Sequence, residues 1–307
     1  MLIHRTWQGL DPATRGTSVA MGNFDGVHRG HQSVIALARG HGPLGLVTFE
    51  PHPRQYFAPT APAFRLMNPE ARASRLAKLG VQHLFELPFD ATLAGLTPEA
   101  FASEVLADGL GLAHVVVGED FRFGKGRAGS AEDLAALGRE HGFAVTIAPL
   151  MKESGEEISS TAIRRALTEG RPRDAAAMLG HWHRIEGMVI HGEKRGRDLG
   201  YPTANMSVDG LHLPRLGVYA VKVDVLTGPY TGSFIGAASL GVRPMFGENR
   251  PNLETFLFDF SGDLYDQQLS VAFVDYLRPE MKFDSLPGLI AQMSADCSRA
   301  REILSVL

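Results

Sequence analysis

Between Thr17 and Leu179, short apolar runs alternate with segments that carry helix start and stop signals, an order that few folds accept. Thr17 to Ala20, Leu44 to Thr48, His83 to Leu87, Val115 to Gly118 and Ala144 to Ala148 read as buried strands. Gln32 to Arg39 reads as a helix. Asn68-Pro-Glu70 offers an N-cap, a proline at the first position and an early acid, and the helix it opens stops at Gly80. Thr97-Pro-Glu99 repeats that signal, Ser130 caps a helix reaching Glu140, Ser159 or Ser160 begins another, and Pro172 to Leu179 forms the last. Strands separated by helices at this spacing imply an α/β domain, a parallel sheet covered on both faces. Ligands on such sheets bind beyond the carboxyl ends of the strands, and the unusual loops all follow strands.

The pattern changes after Gly180. Arg184 to Ile190, Val218 to Val225, Thr231 to Ser239, Leu253 to Phe260 and Gln268 to Tyr276 look like strands separated by turns, which predicts a small antiparallel β-barrel. A C-terminal helix begins at Ser285, with Leu289, Met293, Cys297, Ala300 and Leu304 on one stripe, so Cys297 reads as core rather than nucleophile. The domains expected are therefore 1–183 and 184–307.

At 307 residues and 44% hydrophobic, the chain can build two packed cores. A net charge of -4 argues against a nucleic-acid partner. The single cysteine excludes an internal disulfide and a cysteine-rich zinc site. The start lacks a signal peptide's apolar run and no stretch is apolar enough to cross a membrane, so a cytoplasmic protein is expected.

Two regions carry chemistry. In Met21-Gly-Asn-Phe-Asp-Gly-Val-His-Arg-Gly-His31, Gly22 and Gly26 allow a sharp turn, and His28 and His31 share one face of a helix start suited to phosphate. Ser160 and Thr161 can cap the helix that follows them and contact a phosphate, and Arg164 lies one turn on. Asp120, Phe121 and Phe123 follow a strand, where an exposed aromatic suits a flat ligand, and Pro51 and Pro53 hold the loop Phe49–Pro53 extended as one wall. In the second half, Gly192 and Gly196 lie in a run that can fold over phosphates. Thr203 and Asn205 offer neutral oxygens suited to Mg²⁺ on ATP. Glu254 shares one strand face with Phe256, Phe258 and Phe260, an apolar setting that suits a general base. Taken singly, each segment also reads as ordinary structure: a turn with surface histidines, a capped helix, a glycine-rich hairpin, a hydrated strand end.

As an ensemble the motifs are more specific. Gly22 to His31, Phe49-Glu-Pro-His-Pro53, Val117 to Gly124 and Ile158 to Arg164 resemble the nucleotidyltransferase superfamily, and within it the adenylyltransferase half of bacterial bifunctional riboflavin kinase/FAD synthetases. Pro202-Thr-Ala-Asn205, Gly217 to Ala220, Ser239 to Pro244, Asn249 to Asp259 and Glu280 to Phe283 resemble the riboflavin kinase half. The resemblance implies a Rossmann-like nucleotidyltransferase domain followed by a kinase barrel, with ATP, riboflavin, FMN and FAD as ligands. It implies that FMN phosphate attacks the α-phosphorus of ATP, with His28, His31, Arg164 and Mg²⁺ stabilising phosphate charge and Gly22, Asn23 and Phe24 holding the nucleotide. In the other half Glu254 would deprotonate the riboflavin hydroxyl that attacks the γ-phosphate. His181-Trp-His183, Pro279 and Asp120 depart from the commoner pattern. The alternatives are a nucleotidyltransferase with another phosphate acceptor and a non-catalytic flavin-binding protein; an oligomer is left open.

Overall fold

The computed structural model describes residues 1–153, 156–192, 199–245 and 248–307. It contains two compact units, one of Met1–Pro62 and Arg72–Ser159, the other of Ala63–Ala71 and Ser160–Leu307.

In the first unit the described strands β1 (Leu2–His4), β2 (Ser18–Met21), β3 (Leu44–Glu50), β4 (His83–Pro88), β5 (His114–Gly118) and β6 (Ala144–Ala148) lie in the order β1-β4-β3-β2-β5-β6. All the pairings are parallel. Val19, Val47, Phe85 and Val115 pack on one face with Phe101, Val105 and Leu106. Ala20, Leu46, Leu84 and Val116, of opposite parity, are also fully buried. The chain runs from β2 to β3 and β4 on one side, then crosses to β5 and β6 on the other. That reversal beside β2 is where a crevice opens at the carboxyl ends of the strands.

The helices start where their caps predict. Asn68 accepts the Ala71 N–H at 2.8 Å ahead of the helix Pro69–Lys78. Ser130 and Asp133 form a reciprocal capping box. The loop Phe49–Pro53 departs from expectation. Its Glu50–Pro51 bond is cis, and Pro53 opens the short helix Pro53–Phe57 instead of extending the loop. The reason is local: the His52 side chain accepts the Arg54 N–H at 3.0 Å, and proline at the first helical position loses no hydrogen bond.

In the second unit β7 (Arg184–Met188), β8 (Ala204–Ser207), β9 (Gly217–Val225), β10 (Gly232–Met245), β11 (Glu248–Leu257) and β12 (Gln268–Arg278) form an antiparallel sheet ordered β7-β12-β9-β10-β11-β8. The Ile190 N–H donates to the Asn205 carbonyl at 2.8 Å, joining the chain after β7 to β8 and nearly closing the barrel. Tyr219, Val221, Val271, Phe273, Leu253 and Leu257 fill its interior. Ala220, Ala237, Phe258 and Val274 face outward under Ala300, Ile303 and Leu304 of the C-terminal helix Leu286–Leu304. Cys297 lies partly buried there, its thiol pushed up to about 11 by burial and by Asp296, which suits a packing role. Phe260 does not share the face of Glu254. β11 ends at Leu257, Asp259 takes φ 56, and Phe260 turns to meet Tyr230 and Phe234 edge-on.

The compact units do not part at residue 183. Helices Ser160–Thr168 and Pro172–Leu179 pack through Ile163, Ala166, Leu167, Ala175 and Leu179 around Leu66. The strip Ala63–Ala71 is tied in by His212 N–H on the Arg65 carbonyl at 2.7 Å and by Asn68 Nδ2 on the Glu186 carbonyl at 2.8 Å. His183 is buried against Phe273 with Nε2 unpartnered among the described residues, and burial, then His181 and His212, push its pKa down to about 3. The unfolded chain takes up this proton near 6.5, so stability is lost as pH falls from 6.5 toward 3, by up to about 1.4 kcal/mol per pH unit. Urea melts between pH 7 and 4.5 should show that slope, and His183→Gln should flatten it.

Candidate active sites

Beyond β2 the chain turns through left-handed backbone at Phe24 (φ 51), Gly26 (φ 86) and Val27 (φ 44). Sterics keep phenylalanine and valine out of this region, yet Phe24 and Val27 are 1% and 0% exposed, so packing holds them there. The backbone is pinned as well. Gly22 N–H donates to the Val47 carbonyl at 3.1 Å, and Thr48 Oγ1 to the Asn23 carbonyl at 3.3 Å. Arg72, which sequence reasoning missed, lies buried beside this turn with Nη1 3.5 Å from the Asn23 carbonyl. Its Nη2 donates to Glu86 at 2.8 Å and Glu50 at 3.2 Å.

The turn delivers His28 to the N-cap of the helix Arg29–Leu37, where its Nδ1 accepts the His31 N–H at 3.3 Å. With Nδ1 accepting, the ring proton of neutral His28 sits on Nε2. The His31 ring stacks on that of His28, 3.6 Å between centroids and 18° from parallel. Burial, then the adjacent His28, hold the His31 pKa well below 6.5, so His31 is neutral at pH 7. Its Nδ1 is buried without a partner among the described residues. A helix start with neutral imidazoles offers phosphate oxygens N–H donors and the positive end of a dipole.

Other expected residues divide. Pro51 is exposed and Asp120 lies exposed in the turn after β5. Phe123 is 6% exposed, in the core with Phe101 and stacked under the half-buried Phe121 at 5.9 Å; it is not the exposed aromatic expected, because Gly129 leaves space for its ring. Sequence reasoning also missed the aromatic group Tyr56, Phe57 and Phe89, whose rings meet edge-on at 5.1 to 5.8 Å with Phe57 69% exposed. The signal was the Tyr56-Phe57 pair just after the prolines. Ser160, Thr161 and Arg164 belong to the second compact unit, the histidines to the first. Arg164 Nε donates to the Phe64 carbonyl at 2.6 Å, and its guanidinium lies 5.5 Å from the Phe64 ring.

On the barrel, Asn205 of β8 stands opposite Glu254 of β11, whose other neighbour is Ser239 of β10. Alternation sets Asn205, Asn252 and Glu254 on one face, away from Leu253 and Leu257 of the interior. Asn252 Nδ2 donates to Asn205 Oδ1 at 2.8 Å, and Asn205 Nδ2 lies 3.4 Å from the Thr203 carbonyl. Gly192 lies against this amide, where a Cβ would stand 2.6 Å from Asn205 Nδ2. Gly196 lies outside the described residues. Asn252 Oδ1 is buried with no partner among the described residues. Neutral oxygens beside an orphaned acceptor fit a cation that keeps most of its water. Among the described residues no group of three or more His, Cys, Asp and Glu side chains assembles to grip a bare one.

The comparisons agree with this division. A family model described as FAD synthetase matches residues 10–162, and one described as riboflavin kinase matches 179–304. A bifunctional riboflavin kinase/FMN adenylyltransferase of Pseudomonas fluorescens is 40% identical over 99% of this chain and 98% of its own. That of Escherichia coli K12 is 37% identical over 95% and 94%. A crystal structure described as a macrolide-efflux protein of Streptococcus pneumoniae superposes with a TM-score of 0.81, 31% identity and 96% coverage of both chains. Among the described residues of this chain no helix is long and apolar enough to cross a membrane.

Proposed function

We propose how two reactions are divided among named residues, from the premise that this chain belongs to the bifunctional riboflavin kinase/FMN adenylyltransferase family. The enzyme phosphorylates riboflavin to FMN and adenylylates FMN to FAD. The chemical boundary proposed is residue 183; the first family match ends at residue 162 and the second begins at 179, while the packing units part at Ser159 and Ser160.

For adenylyl transfer, the FMN phosphate attacks the α-phosphorus of ATP and pyrophosphate leaves. No protein nucleophile is needed; alignment and stabilisation of phosphate charge suffice. His28, through Nε2, and His31 act as N–H donors, and the backbone from Gly22 to Phe24 holds the nucleotide. Ser160, Thr161 and Arg164 add donors to the phosphates; in support, the Ile158 carbonyl lies against Gly30, so the chain reaches the histidine helix just before Ser160. Pro51, Pro53 and Asp120 line the flavin, with the exposed Phe57 and the half-buried Phe121 against it and Phe123 backing Phe121.

For the kinase step, Glu254 takes the proton of the riboflavin hydroxyl as it attacks the γ-phosphorus, and ADP leaves. Thr203 and Asn205 hold Mg²⁺, which when bound neutralises phosphate charge. Gly192, where a side chain would collide with the Asn205 amide, leaves room for the triphosphate there. The observation that carries the two-site reading is the register pair Asn205 and Glu254, which sets amide and carboxylate side by side on adjacent strands. A soluble substrate set and a single cysteine, Cys297, support a cytoplasmic location.

Glu254→Ala should abolish FMN formation, by about 10²–10⁴-fold, and spare FAD formation from supplied FMN. His28→Ala with His31→Ala should do the reverse, resolved by chromatography of the flavins after incubation with ATP and Mg²⁺. Either change stopping both steps in a folded protein contradicts the assignment. Gly30→Ala is a finer probe. Alanine favours the helix by about 1 kcal/mol, but its Cβ would stand 3.2 Å from the His28 ring. FAD formation should fall about tenfold while the melting temperature holds or rises.

A further inference from the structure

We propose that Asn252 is a positioning residue of the kinase site and acts by holding the amide of Asn205 in one orientation. The inference rests on the reading of Thr203 and Asn205 as the residues that meet the cation of the bound nucleotide.

An asparagine amide has two faces of nearly equal shape and opposite chemistry. Only the oxygen face can meet a cation; the NH₂ face repels it. Asn205 could present either. Two contacts decide. Asn252 Nδ2 donates to Asn205 Oδ1 at 2.8 Å, and the Thr203 carbonyl lies 3.4 Å from Asn205 Nδ2. With its NH₂ turned to Thr203, Asn205 keeps the second lone pair of Oδ1 available. Asn252 reaches it diagonally across the β8–β11 ladder, from the place opposite Ser207. On the other side its neighbour is Gly241, which has no side chain to pair with.

Stability does not account for this amide. Asn252 is 3% exposed and its Oδ1 has no donor among the described residues, a net cost to the fold that an apolar or hydroxyl side chain on the same strand would avoid. The arrangement is that of an outer residue fixing an inner ligand, where loss of the outer partner typically weakens metal affinity or activity about 10–100-fold.

The test is a double-mutant cycle in the full chain. Mg·ADP affinity is measured by calorimetry, and kcat and KM for ATP are measured in riboflavin phosphorylation. Asn205→Ala and Asn252→Leu should each weaken Mg·ADP binding about tenfold and raise KM for ATP. Added to Asn205→Ala, Asn252→Leu should cost less than about twofold further, because its target is already gone. Equal losses in both backgrounds, or unchanged binding in Asn252→Leu, overturn the proposal. If Asn205→Ala itself leaves binding and KM unchanged, the placement of the cation fails and the proposal with it. Should Asn252→Leu disturb the melting curve, Asn252→Thr, suited to a strand and too short to reach Asn205, completes the same cycle.

Discussion

The turn proposed to serve adenylyl transfer depends on two apolar side chains buried at backbone angles they avoid. Phe24 and Val27 both have positive φ, and strain of that kind costs about 1–3 kcal/mol per residue. Their burial returns about 1.5–3 kcal/mol each, so core packing roughly offsets the strain and the turn holds its shape without a ligand. The product of that balance is the position of His28, whose ring caps the next helix and carries His31 stacked upon it. A glycine at either place would relieve the strain and remove the packing that specifies the turn.

The two centres solve the problem of phosphate charge in different ways. The first would use donors: a helix start, the His28 ring and, stacked on it, the His31 ring, whose pKa burial and then His28 hold well below 6.5. The second centre uses oxygens on adjacent strands, in register, so its spacing is set by the ladder rather than by a turn. The seam bond from Ile190 to the Asn205 carbonyl fixes that ladder at the place where the barrel closes.

Much of this was legible in the sequence because period and punctuation act locally. The five strands expected in the parallel sheet stand where apolar runs meet turn signals, and the caps at Asn68 and Ser130 act as their types imply. The misses have physical causes. The strands Leu2–His4 and Ala204–Ser207 are too short to show a period. Pro53 obeyed the rule for helix starts rather than that for extended loops. Phe123 and Phe260 follow turns, and a turn resets which side a residue faces. Arg72 and Asn252 act through partners distant in sequence, Glu50 and Glu86 for one, Asn205 for the other. Only Asn252 had a usable signal, its place two residues before Glu254 on the same strand face.

The strip Ala63–Ala71 gives the gene a history as well as the protein a shape. Its Leu66 is 1% exposed among Ile163, Leu167 and Leu179, and its Arg65 pairs with Leu211. A recombination event at residue 183 would import a barrel but leave behind the strip and the two helices its own packing was shaped to receive. The two halves are thus not interchangeable cassettes.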